Sequence, residues 1–182
     1  MQTPEEILCA ERLILPGVGA FSDGMKGLRE RGLVEALRQR AKADNPFMGI
    51  CLGMQMMMSK SNEFGAHEGL GVIAGDVVSI PPKGVDGQPH KIPHIGWNEL
   101  LPTSQASSWD NTLLQGLDDN ASVYFVHSFM VVSDNPAQHL AEVRYNGHGI
   151  CAVVQHDNMY GCQFHKKKSG EVGLKIIENF LA

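Results

Sequence analysis

The sequence predicts an α/β fold: a parallel core sheet with helices packed on it, continued by antiparallel strands. Three observations lead there. Residues 13 to 60 alternate strand-like and helix-like patterns, the signature of a βαβα unit. Residues 70 to 164 lack long alternating helices and carry short β-like runs, so they read as an antiparallel extension of the sheet by hairpins. Residues 169 to 181 carry helical periodicity and close the chain. No internal repeat, low-complexity tract or linker intervenes. The 182 residues, 1–182, therefore read as one domain with a sizeable core.

Taken in order, Met1 to Ala10 gives a weak signal, with Glu5, Glu6, Ile7 and Leu8 fit for one helical turn. Leu13-Ile14-Leu15 is a short apolar strand, followed by Pro16-Gly17-Val18-Gly19. Two glycines after a strand let backbone N–H groups turn toward a ligand, although an ordinary strand-ending turn has the same composition. Ser22 to Ala43 is helical in character: Leu28, Leu33, Leu37 and Ala41 can share an apolar face. Gly27 and Gly32 interrupt it, so two shorter helices are expected, ended by Asn45-Pro46. Phe47 to Ile50 reads as the end of a buried strand. From Leu52 the chain reads as helix, through a methionine run to Lys60. In parallel sheets ligands bind beyond the carboxyl ends of the strands. Pro16–Gly19 and Cys51 both fall at such ends.

Asn62 to Gly71 reads as loop, with Glu63 by default a solvated carboxylate. Gly71 to Ile80 carries short β-like runs, broken by Pro81-Pro82 and a Gly84-Val85-Asp86-Gly87 turn. Residues 102 to 120 look like an irregular excursion with a short helix around Leu113 and Leu114. Ser122 to Val126 is a strand running into His127-Ser128-Phe129. Ala141 to Tyr145 and Ile150 to Val154 form a hairpin through Asn146-Gly147-His148-Gly149. Tyr160 to Phe164 is a further strand ending at His165. Ser169 is expected to cap the final helix, with Glu171 in its first turn.

Composition narrows the function class. The net charge is −5 and the longest basic run is Lys166-Lys167-Lys168, which disfavours nucleic acid as the main partner. No apolar stretch approaches membrane-spanning length, so no membrane partner is expected. The four cysteines show no C-x-x-C spacing and no signal peptide precedes them, which points to free thiols in a reducing cytoplasm. Cys151 and Cys162 with nearby histidines fit no zinc-ligand pattern, and no metal is expected.

The chemistry concentrates at Gly49-Ile50-Cys51-Leu52-Gly53. This is a small-x-nucleophile-x-small pattern on a strand-to-helix turn, the layout of a nucleophile elbow with cysteine in place of serine. A side chain at either glycine would crowd the turn. The helix N-terminus beside Cys51 favours the thiolate. A buried core cysteine before a Met-rich helix is the plainer alternative. His165, also at the end of an apolar strand, is the candidate base. It would take the thiol proton and leave a thiolate to attack an acyl or amide carbonyl. The Leu52 N–H is a natural oxyanion donor, with a Pro16–Gly19 N–H as the second.

Five segments occur together: Leu15-Pro16-Gly17-Val18-Gly19-Ala20-Phe21, Gly49-Ile50-Cys51-Leu52-Gly53-Met54-Gln55, Pro93-His94-Ile95-Gly96-Trp97-Asn98, Tyr124-Phe125-Val126-His127-Ser128 and Gly161-Cys162-Gln163-Phe164-His165. In this order, from about Glu11 to the end, they resemble the class I, triad-type glutamine amidotransferases. Within that class the chain resembles the glutaminase subunits of imidazole glycerol phosphate synthase. The wording around Glu63-Phe64-Gly65 and His67-Glu68-Gly69-Leu70-Gly71 is also similar to paralogues from surface-polysaccharide gene clusters.

The resemblance implies a flavodoxin-like three-layer sandwich and a reaction without a cofactor. Cys51 would attack the side-chain amide of glutamine, ammonia would leave, and water would release glutamate. Ammonia would then pass to a (β/α)8-barrel cyclase subunit that makes imidazole glycerol phosphate and an aminoimidazole carboxamide ribotide in histidine biosynthesis. By the same resemblance Gly17, Gln55 and Glu63 hold the substrate, and Ser128 and Phe129 contribute through their backbone. Val18 supplies an oxyanion N–H after a flip of its loop, beside that of Leu52. Trp97, Tyr124 and Lys168 meet the cyclase.

Two departures stand out. The family closes its catalytic strand with His-Pro-Glu-Lys-Ser, whereas this chain reads His165-Lys166-Lys167-Lys168-Ser169. Lys167 stands at the position of the triad glutamate. It can neither hold the imidazole tautomer nor stabilise the imidazolium, so poor turnover is expected. A glutamine-binding or scaffolding subunit is the corresponding alternative, and a Cys/His hydrolase of the wider superfamily is a third. The family also begins with a further strand, a glycine turn and a helix, which this chain lacks before Glu11. Loss of that strand is expected to expose a hydrogen-bonding sheet edge, leaving the chain marginally stable or rescued by pairing with another chain.

Overall fold

The computed structural model describes residues 3–106, 108–118, 120–165 and 168–182. Helix α1 (Pro4–Cys9) is followed by β1 (Leu13–Gly17), α2 (Phe21–Glu30), α3 (Val34–Lys42), β2 (Phe47–Cys51) and α4 (Leu52–Met57). Then come β3 (Met58–Ser61), β4 (His67–Glu68), β5 (Ile73–Ser79), β6 (His94–Glu99), β7 (Leu101–Pro102), β8 (Ser122–His127) and β9 (Phe129–Ser133). The last elements are β10 (His139–Tyr145), β11 (His148–His156), β12 (Met159–Cys162) and α5 (Gly170–Leu181).

The central sheet has six strands in the order β1-β2-β12-β11-β10-β7. β1, β2 and β12 run parallel, and β11, β10 and β7 continue the sheet antiparallel. One face carries Phe47, Cys151, Val154 and Met159, covered by α2, α3, α4 and part of a second sheet. The other carries Met48, Ile50, Ile150 and Cys162, covered by α5, β8 and the segment around Leu113. Two apolar faces on one sheet demand cover on both sides, which gives the three layers. Phe21, Met25 and Leu28 form the buried stripe of α2. Each such side chain contributes about 1.5–3 kcal/mol.

At one end of this sheet β1 pairs with β2 alone. The preceding turn is fastened by Arg40, which is fully buried. Its guanidinium donates to the carbonyls of Ile7, Ala10, Glu11 and Pro46. A capping box at Thr3 and Glu6 starts α1.

Several sequence expectations change. Strand pairing extends less simply than one sheet of hairpins: β4-β3-β5-β9 form a separate four-stranded sheet, and β6 with β8 a two-stranded ribbon. The helix after Cys51 stops at Met57 rather than Lys60. Met58 pairs with Ile73 in a parallel strand, and tertiary pairing overrides the helical preference of a methionine run. Around Leu113 and Leu114 there are hydrogen-bonded turns and no helix. The hairpin turn is tighter than expected: Asn146 and Gly147 alone bridge β10 and β11, both with positive φ. Ser169 does not cap α5 with its side chain. Its hydroxyl is used elsewhere, as described below. No described helix is long and apolar enough to cross a membrane.

Candidate active site

The register of the parallel strands builds the site. Gly17 lies opposite Cys51 and Cys162 opposite Ile50. One step onward the chain sets Gln163 beside Cys51, and two more residues reach His165. All of this occurs at the carboxyl ends of β1, β2 and β12, where a parallel sheet leaves a crevice.

Cys51 has φ 56° and ψ −116°. A non-glycine residue at positive φ in a sharp strand-to-helix turn holds strain of order 1–3 kcal/mol. The turn closes because its neighbours are small. A Cβ on Gly49 would run into the Gly53 carbonyl and the Met54 N–H, and one on Gly53 into the Leu15 carbonyl. The expected elbow is therefore present, built on close approach of backbones.

A cavity of about 410 Å³ opens in front of this elbow. Cys51, Leu52, Gln55, Glu63, Ser128, Phe129 and His165 line it, together with Val18 and Gly19. The sequence candidates for nucleophile, base, oxyanion and substrate contacts thus meet in one space. Gly17 is the exception: it packs on Leu52 and does not belong to the lining.

Burial pushes the Cys51 thiol above its ordinary value, and the Leu52 N–H, which reaches the sulfur, pulls it down. The helix start acts in the expected sense through the Leu52 N–H, and burial, which the sequence did not reveal, outweighs it. Nearby Cys151 is pushed up to about 12 by complete burial, and Cys162 is raised by the same cause. Neither is fit to be a nucleophile.

The imidazole of His165 presents a buried Nδ1 with no hydrogen-bond partner among the described residues. In a triad that nitrogen meets a carboxylate. Lys167, where the family has its glutamate, lies outside the described residues. The His165 backbone is well fixed: its N–H donates to the Tyr124 carbonyl at 2.9 Å. The Ser169 hydroxyl donates to the His165 carbonyl and accepts the Tyr124 N–H, each at 3.0 Å.

Glu63 accepts the N–H of Phe21, the first residue of α2, at 2.5 Å. The residue before it, Ala20, offers no side-chain cap. A carboxylate brought from a distant loop therefore terminates α2 and sits in the cavity at the same time.

Phe129 is the hub of the polar wall. Its carbonyl accepts from His127 Nδ1 at 2.8 Å and from Gln55 Nε2 at 3.2 Å. His127 Nε2 lies 3.0 Å from His94 Nδ1, and His94 Nε2 lies 2.8 Å from the Asn98 side-chain amide. Both rings are buried. Burial lowers His127 to about 4 and lowers His94 in the same sense, so the pair is neutral at pH 7. Sequence reasoning did not find this histidine pair. Its two members come from different strands and meet only through the register His94↔His127.

The opposite face of the β6–β8 ribbon is exposed. Ile95 and Trp97 stand across from Val126 and Tyr124. Trp97 is 55% exposed and packs edge-on to Tyr124. The Lys168 ammonium lies 4.9 Å from the Tyr124 ring centre, a cation–π contact. Among the described residues no group of three or more His, Cys, Asp or Glu is placed to hold a metal ion.

Comparison with known proteins agrees with this geometry. The subunit HisH 1 of imidazole glycerol phosphate synthase from Legionella pneumophila strain Lens is 62% identical over 181 residues, covering 100% of this chain and 85% of its own length. The corresponding HisH subunit of Sulfurimonas denitrificans is 42% identical over 177 residues, covering 97% of this chain and 82% of its own. A crystal structure of a glutamine amidotransferase superposes with a TM-score of 0.70 at 17% identity, covering 100% of this chain and 85% of that one, and shares the fold. The family described as glutamine amidotransferase class-I matches residues 1–182 from end to end, and the chain belongs to it.

Proposed function

We propose that residues 1–182 form one amidotransferase domain and act as the glutamine-hydrolysing subunit of an imidazole glycerol phosphate synthase in histidine biosynthesis. The observation that carries this reading is the single cavity lined by Cys51, Leu52, Gln55, Glu63, Ser128, Phe129 and His165. In it Cys51 attacks the side-chain amide carbon of glutamine. The Leu52 N–H, already at the sulfur, is next to where the oxyanion forms. Val18 adds a second N–H when its loop turns inward. His165 relays the thiol proton to the leaving ammonia. Water then hydrolyses the thioester to glutamate.

Substrate recognition follows from the same wall. Both N–H groups of Gln55 are taken by Phe129 and Gln163, so the amide oxygen of Gln55 is what it offers a ligand. That acceptor and the Glu63 carboxylate suit the donors of glutamine. Ser128 and Phe129 contribute backbone groups beside them. The reading places the work in the cytoplasm.

The partner is a cyclase subunit with a (β/α)8 barrel, docking on Ile95, Trp97, Tyr124 and Val126 and receiving the ammonia. An exposed aromatic patch with one flanking cation is the composition of an interface core. Two assays test the proposal. Glutamate release from glutamine, measured with the cyclase present, is expected for the wild-type chain and lost in Cys51→Ala. Trp97→Ala and Lys168→Glu should weaken the complex in a pull-down with the cyclase. Full binding by both variants would remove the ribbon from the interface.

A further inference from the structure

Nothing in the spacing of the sequence gives Gln163 a role, yet it is 1% exposed and joins two residues of the cavity. Its Oε1 accepts from Gln55 Nε2 at 3.0 Å, and its Nε2 points to the Cys51 sulfur at 3.9 Å. The orientation of these amides is forced. The Phe129 carbonyl is only an acceptor, so Gln55 must turn its nitrogen there. That nitrogen also faces Gln163, which must answer with its oxygen. The Gln163 NH2 is then left facing Cys51. The start of the chain of donors is itself pinned, because His127 Nδ1 holds the same Phe129 carbonyl.

We propose that Gln163 is a positioning residue for Cys51: locked by Gln55, its amide N–H steadies the sulfur and stabilises the thiolate as the nucleophile forms. This rests on Cys51 being the nucleophile. The need for such a donor is visible in the site. Burial opposes the thiolate, and the Leu52 N–H is the opposing contact described above. At 3.9 Å the contact is long for a neutral thiol. An anionic sulfur draws a donor in, because charge-assisted hydrogen bonds are shorter and stronger. The backbone holds Gln163 in reach, since its N–H donates to the Ala152 carbonyl at 2.9 Å. The same side chain aims Gln55, so substrate contact and nucleophile share one support.

The test is the pH dependence of Cys51 alkylation by iodoacetamide in the full chain, read from the mass of the Cys51 peptide. Wild type is compared with Gln163→Met, which fills a similar volume without a donor, and with Gln163→Glu. In Gln163→Met the midpoint is expected to rise and alkylation at pH 7 to fall about 5-fold. In Gln163→Glu the midpoint should rise further, because a carboxylate repels the thiolate. Thermal melts accompany each variant. Should Gln163→Glu fail to fold, Gln163→Met decides alone. An unchanged midpoint in Gln163→Met, with or without a lower melting temperature, overturns the role of Gln163. Failure of a glutamine-derived chloroketone to label Cys51 in the wild type overturns the nucleophile itself, a separate result.

Discussion

The backbone N–H of His165 donates to the carbonyl of Tyr124 at 2.9 Å, so the candidate base is fastened to the strand that carries the exposed aromatic patch. The ring of Tyr124 meets Trp97 and Lys168 on the outside, while its main chain holds the imidazole-bearing turn on the inside. The site and the proposed docking face therefore share one strand, and Val126 borders both.

His165 Nδ1 has no partner among the described residues, and Lys167 replaces an acid in the sequence pattern. Lys167→Glu is expected to raise kcat for glutamine hydrolysis by about 10- to 10³-fold. The loss of the acid costs a serine triad about 10⁴, and a cysteine suffers less because it lies closer to its thiolate. Steady-state glutamate release with the cyclase present measures it. Equal rates for the two chains would mean that the imidazole needs no carboxylate.

Glu63 terminates α2 and lines the cavity. Glu63→Ala should cost about 1 kcal/mol of stability through the lost cap and raise KM for glutamine about 10-fold through the lost charge. Ala20→Asp added to that variant gives α2 a local cap. It should restore the urea midpoint and leave KM high. Recovery of both together would argue against a direct contact with substrate.

His127 makes stability depend on acid. Its ordinary value of 6.5 is lowered to about 4 in the folded chain by burial. As pH falls, the unfolded chain takes up the proton first. Stability is therefore complete above pH 6.5, declines between 6.5 and 4, and levels off below for this group. The loss is on the order of 3 kcal/mol, and His94 adds to it with the same sign. Urea midpoints across this window should fall more steeply for the wild type than for His127→Gln. Parallel curves would refute the assignment.

Arg40 holds four carbonyls in a fully buried position. Arg40→Met leaves those acceptors without their donor. The expected loss is about 3 kcal/mol or more. Chemical denaturation reads it, and a change below 1 kcal/mol would show that water replaces the guanidinium.

What could be read from the sequence was what is local. The Cys51 elbow announced itself because the glycines on either side lie within one turn of chain. The two helices over Phe21–Lys42 followed from apolar spacing and from Gly32. The Leu13 strand and the hairpin at Asn146-Gly147 were legible for the same reason. Their outcome depended on few partners. The strand expected to run to Phe164, by contrast, ends at Cys162, three residues before His165. Gln163 stood in a segment that carried the resemblance, but the role proposed for it was invisible because it depends on Gln55, 108 residues away, and on a parallel register no pattern records. The end of α4 at Met57 was hidden likewise. Methionines favour helix, and only pairing with β5, which takes Met58, Lys60 and Ser61, ends it. Ser169 showed the opposite failure: a residue typical of caps, whose hydroxyl is claimed by Tyr124 of β8 and by His165 beyond β12 instead.

That hydroxyl separates two properties which a triad usually joins. Where the His165 backbone stands is settled by main-chain ties to Tyr124 and Ser169, whereas none of these ties involves Nδ1 of its ring. A chain of this design tolerates loss of its acid without dismantling the architecture. On the proposed reading, one substitution at position 167 would tune turnover while these main-chain ties remain.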